Sequence, residues 1–187
     1  MLGKKIFALG CAIAIVALGA CFLPHDHVPP PALPPYLGHV HHLSIEVRDT
    51  SGQDLFDESA MSQAVASNFN ELWKDFSVRA KPVQAAKPSD AVLRIAITHK
   101  SASGGATGKQ AWTFDLNSSL TLTSTGGRVL WQRGEENTRF RLSLEDGLPP
   151  DAWNSRVIQH EAAYWLAMRS GDVLLDLPFR YSSEKHR

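Results

Sequence analysis

Cysteine is nearly missing from this chain: two in 187 residues, Cys11 and Cys21. With no thiol beyond position 21, the body of the protein can make no disulfide, no cysteine-ligated zinc site and no cysteine nucleophile. A surplus of either charge is missing too, since 19 basic side chains face 19 acidic ones. Without a basic excess the chain is not built as a general nucleic-acid binder. The compact catalytic signatures are missing as well: no P-loop, no G-x-S-x-G, no HExxH and no CxxC occurs. His160-Glu161 opens like a zinc motif, but Tyr164 stands where the second ligand would be needed. Glu135 and Glu136 form a carboxylate pair only in sequence, because neighbours on a strand project to opposite faces. We therefore expect neither an enzyme nor a cofactor.

One long apolar run is present. Lys4 and Lys5 precede an unbroken apolar stretch, Ile6 to Ala20, the layout of a secretory signal. The run reaches the roughly 20 residues of a spanning helix only by including Cys21 to Leu23, which leaves an uncleaved anchor as the second reading. It ends in Leu18-Gly19-Ala20-Cys21, which resembles a bacterial lipobox: small residues let a signal peptidase reach the backbone, and the cysteine thiol accepts the lipid. The expectation is removal of residues 1–20 and lipidation of Cys21. Loss of Lys4 and Lys5 leaves a mature net charge near −2. Each buried methylene of an acyl chain contributes about 0.8 kcal/mol, so several chains on one residue hold a protein firmly to a bilayer. The residue after the cysteine is Phe22 rather than an inner-membrane-retaining Asp. The expected location is the outer membrane, lipid-anchored and facing the periplasm.

Residues 21–38 read as a tether. Six prolines fall between Pro24 and Pro35, which favours an extended, semi-rigid stalk. His25, His27, His39, His41 and His42 put five imidazoles in eighteen residues and are weak candidates for zinc or nickel. Asp26 is the nearest carboxylate, and a proline-stiffened chain wraps a metal poorly. The polar-stalk reading is preferred, and no metal site is assigned.

Residues 39–178 are long enough for one core, and 179–187 form a polar tail. "VHHLSIEV" (Val40 to Val47) alternates as a strand. A helix follows from about Ser59 to Phe76, with Met61, Val65, Phe69, Leu72 and Phe76 on one stripe and Asp57, Glu58 and Ser59 as capping residues. "FSVRAKPV" is a short strand at best because of Pro82. Ala91 to His99 and Trp112 to Thr123 alternate as half-buried strands, with a glycine- and serine-rich loop between them. Arg128 to Gln132 and Thr138 to Leu144 are two further short strand segments. After Pro149-Pro150 a last helix carries Ile158, Ala162, Trp165, Met168 and Leu175, widened by Val157, Tyr164 and Leu174, with Gly171 placed to bend or end it. The order β-α-β-β-β-β-α predicts an α+β fold: two helices packed on one face of a mainly antiparallel four- to five-stranded sheet.

The lipobox, "LPPYLGHVHHLSIEV", the amphipathic helix, "SDAVLRIAI", the polar loop, "GGRVLW" and a closing helix together resemble the LPS-assembly lipoproteins of the LptE-like family. The likeness runs over about residues 21–177 and rests more on element order than on any one motif. The chain departs from the family where Cys21-Phe22-Leu23-Pro24 lacks a glycine after the cysteine, and in its proline-histidine stalk. The resemblance implies a non-catalytic plug that sits in an outer-membrane LPS-export β-barrel, stabilises it and contacts lipopolysaccharide. It further implies basic side chains for lipid A phosphates, here Lys109 (in Gly108-Lys109-Gln110), Lys100 and Arg94. "SLEDGLPPD", before the last helix, offers none of the family's further basic residues. The implied partners are the barrel, lipopolysaccharide and a membrane through the lipid anchor. The alternatives are a subunit of another envelope transport or secretion machine, and a histidine-rich metal-binding periplasmic lipoprotein.

Overall fold

Alternating apolar residues build the sheet. Leu43, Ile45 and Val47 are buried in β1 (His42–Asp49), and Leu93, Ile95 and Ile97 in β3 (Ala91–Gly104). In β4 (Ala111–Ser124) the buried set is Phe114, Leu116, Leu120 and Leu122. A short β2 (Arg79–Pro82) and a long β5 (Val129–Ser143) are the two edges. The computed structural model describes residues 32–52, 57–83, 89–104, 111–144 and 152–177. The signal, Cys21, His25, His27, Lys109 and the tail 179–187 lie outside those residues.

The strand order is β2-β1-β3-β4-β5. β3, β4 and β5 form an antiparallel meander with long ladders, so the sheet is mainly antiparallel, as expected. β1, however, runs parallel to both β2 and β3, where the sequence reading expects neighbouring hairpins. Parallel pairing needs a crossover connection of a dozen residues or more, and the helix after β1 supplies it. β5 is one continuous strand rather than the two expected pieces.

α1 (Glu58–Leu72) starts at Asp57, whose Oδ1 accepts the amides of Ser59 and Ala60. Met61, Val65 and Phe69 are buried; Phe76 is buried as well, in the turn beyond the helix end. α2 (Arg156–Leu174) buries Ile158, Ala162, Met168 and Leu174, with Leu175 just past its end. Val157 is instead 58 % exposed: it turns to solvent beside the buried Ile158. Gly171 does not end the helix. The indole of Trp73 lies against it and donates to Ala167 O at 3.3 Å, and a Cβ at position 171 would run into that indole nitrogen. The helices touch each other, and both cover the same apolar face of the sheet.

The approach to β1 is pinned to this layer. Leu37, in the 3-10 turn Pro35–Leu37, is fully buried. Tyr36 stacks on Trp131 at 5.6 Å and donates its hydroxyl to Leu174 O at 2.8 Å. Burial, then the nearby Asp176 charge, raise the Tyr36 phenol above its ordinary range. Among the described residues no helix is long and apolar enough to cross a membrane.

Candidate functional site

Ser118, in the middle of β4, lies between two bulges. On β3, Ile97 faces Ser118 and His99 faces Asn117, so Thr98 is one residue too many. On β5, Arg133 faces Leu120 and Glu136 faces Ser118, so Gly134 and Glu135 together oppose Ser119. An extra residue resets the two-residue alternation of a strand. Each bulge accordingly turns a charged side chain inward, toward the helices: Lys100 on β3 and Glu136 on β5.

Lys100 is thereby a strand residue and not part of the loop, which narrows to the stretch between Gly104 and Ala111. Its ammonium is fully buried and pairs with Asp49, itself 3 % exposed at the side chain. Asp49 also accepts the amide and hydroxyl of Ser51. Burial alone would raise the Asp49 carboxyl, but hydrogen bonds from Lys100 and Ser51 outweigh it and hold the group below the usual carboxylate range.

On the other side of Ser118, Glu136 receives Arg169 of α2 and, at 2.9 Å, Nε of Arg133. Thr138, Ser170, Asp172 and Ser118 are buried around this cluster, forming a polar seam between β4, β5 and α2. Glu135 is exposed while Glu136 is buried, the opposite facing expected of the pair. A cavity of about 80 Å³ opens beside the seam, between the β5 edge and the α2 residues Trp165, Met168, Arg169 and Asp172. The sequence reading missed this site. The available signal was a pair of charged residues, Arg169 and Asp172, spaced with Trp165 on the helix stripe.

Among the described residues the other face of the sheet carries no helix, and it is polar. Arg94 is exposed and gives Nε to Glu46 at 2.7 Å; Arg48 bridges Glu46 and Glu58 at 2.8 and 2.9 Å. Burial pushes the Glu46 carboxyl up, and the two arginines overcome this and hold it low. Arg139 meets Asp115 at 2.6 Å, Asn137 meets Asn117 at 2.7 Å, and Arg141 reaches the Thr113 hydroxyl at 3.4 Å. Arg94 and Lys100 thus lie on opposite faces, one ion-paired at the surface and one ion-paired in the core.

His39, His41 and His42 are exposed. The amides of His41 and His42 donate to Asp90 Oδ2 at 2.8 and 2.9 Å, holding that carboxyl below its ordinary value, and the His42 ring sits 3.7 Å away. Asp90 thereby ties the start of β1 to the start of β3. Among the described residues no group of three or more His, Cys, Asp or Glu side chains could hold a metal.

No protein-family model matches the chain, and no curated protein matches it. Among solved structures it is similar to protein XCC0632 from Xanthomonas campestris, at 13 % identity and a TM-score of 0.42 over 79 % of this chain and 87 % of that one. It is also similar to the PelC dodecamer from Paraburkholderia phytofirmans (12 %, 0.38, 73 % and 87 %). A third is lipoprotein GNA1162 from Neisseria meningitidis (16 %, 0.36, 65 % and 96 %). At these scores the likeness is remote and assigns no family.

Proposed function

We propose that the chain is a lipid-anchored envelope protein that works by docking, without chemistry of its own, and assists lipopolysaccharide assembly inside an outer-membrane export barrel. The observation that carries this reading is the polar face of the sheet, on which no helix lies among the described residues. Glu46 is matched with Arg48 and Arg94 and Asp115 with Arg139, Arg141 reaches the Thr113 hydroxyl, and the amides of Asn117 and Asn137 meet beside them. Such a face stays hydrated against the polar lumen of a barrel. The lipobox and the element order shared with the LptE-like pattern support the same role.

The experiment is affinity capture of the tagged full-length protein from membranes in mild detergent. Recovery of the lipopolysaccharide-exporting barrel, with loss of surface lipopolysaccharide on depletion, is the expected result. Recovery of no barrel at all overturns it.

One observation favours a second reading, a subunit of another envelope transport machine. With Lys100 in the core and Arg94 held by Glu46, fewer cations face lipid A phosphates than the resemblance implies. The identity of the captured partner separates the two.

A further inference from the structure

The cavity at the β5 edge is absorbed by none of this. Its wall combines three kinds of surface. Trp165 and Met168 supply an apolar side. Asp172 and Arg169 supply charge on α2. β5 supplies the third: the side chains of Asn137 and Arg139 are engaged on the opposite face with Asn117 and Asp115, so their share of the wall is main chain, on a strand with no neighbour beyond it among the described residues. Inside lies Thr138, 3 % exposed, whose hydroxyl has no hydrogen-bond partner among the described residues. A buried hydroxyl left unpaired costs about 1–3 kcal/mol, so one that persists calls for a partner.

The charges around the cavity cancel. Arg133, Arg139 and Arg169 stand against Glu136, Asp115 and Asp172, so the site carries no net attraction for an anion or a cation. At about 80 Å³ it is several times the ~10–15 Å³ needed to hold one water. An indole, a carboxylate, a guanidinium and a lone hydroxyl suit a neutral group with an apolar side and hydroxyls that both donate and accept. We infer that this cavity binds a neutral saccharide unit by one edge, its C–H side on Trp165 and its hydroxyls on Thr138, Asp172 and the β5 main chain. The inference requires no barrel partner, and it stands or falls apart from the proposed function.

The test is saturation-transfer NMR on the full-length protein with glucose, N-acetylglucosamine and maltose, alongside inorganic phosphate and an acidic hexapeptide. An alkyl maltoside above its micelle concentration, set against free maltose, separates a glycolipid head from a soluble sugar. The expected result is saturable binding of at least one sugar that is insensitive to salt and weakened about tenfold by Thr138→Val, the loss of one hydrogen bond. Thr138→Ser, which keeps the hydroxyl, retains the binding, and Trp165→Phe weakens it less than Trp165→Ala does. Should the valine variant fold poorly, the serine and Trp165 variants still decide the matter. Sugar binding that Trp165→Ala leaves intact overturns the inference. So does binding of phosphate or peptide alone, or of no probe.

Discussion

Arg133 and Glu136 are three residues apart on one extended strand and yet meet side by side, 2.9 Å apart, on the helix-covered side of the sheet. Strict alternation would place them on opposite faces; the bulge at Gly134-Glu135 brings them together. Arg133 is 62 % exposed at the side chain, whereas Arg169, the other partner of Glu136, is 17 % exposed. Exposed pairs contribute about 0–1 kcal/mol, while breaking a buried one costs about 3–5 kcal/mol. Arg169→Met and Glu136→Gln should each lower stability by the larger amount in urea titrations, and Arg133→Ala by the smaller. Equal losses for Arg133 and Arg169 would contradict the burial argument.

The Lys100–Asp49 pair makes a sharper case, since both side chains are buried. Removing one partner strands a charge, so Lys100→Met should cost about 3–5 kcal/mol. Pairing Lys100→Met with Asp49→Asn should recover part of that loss. A double-mutant cycle measures the coupling, expected at about 0.5–3 kcal/mol for residues in contact.

Gly171 and Trp73 hold the two helices at close quarters. Because a methyl group at position 171 would collide with the indole, Gly171→Ala should lose about 1–3 kcal/mol by overpacking, despite alanine's higher helix propensity. Trp73→Phe in the same chain should relieve the collision. Thermal melts of the single and double variants check both points.

Acid should weaken the fold. Glu46, Asp49 and Asp90 all have carboxyls held below their ordinary values in the folded state. As pH falls below about 4, near the ordinary carboxylate values, the unfolded chain takes up protons that the folded one does not. Stability then drops as pH drops. A melting-temperature profile should be flat from neutrality to about pH 5 and fall below about pH 4. Asp90→Asn should flatten part of that limb. The raised Tyr36 phenol works at the other end: its contribution is complete below about pH 10 and is lost above it. Tyr36→Phe should remove that alkaline loss.

Much of the architecture was legible where the period of two or of 3.6 ran unbroken. Leu93-Ile95-Ile97 and Met61-Val65-Phe69 announced their elements, and Asp57 its cap. Legibility ended where the period was interrupted. The bulge at Gly134-Glu135 made one strand read as two, and Thr98 made Lys100 read as a surface cation. The parallel seating of β1 left no local mark, because pairing partners distant in sequence are chosen by the packed layer. Gly171 read as a helix breaker because its reason, the Trp73 ring just past the end of α1, lies far away in sequence. The polar seam around Glu136 went unseen for the same cause: Arg169 and Asp172 gain their meaning from β5.

Thr98 is also the point at which β3 can tolerate a change in length. Loss of that codon would leave Ile97, His99 and Lys100 opposite Ser118, Asn117 and Leu116, so no later side chain would trade inside for outside. β4 has no such slack there; losing Ser118 would exchange its two surfaces at once. Natural insertions and deletions in relatives should therefore gather at Thr98 and at Gly134-Glu135, and spare the strand between them.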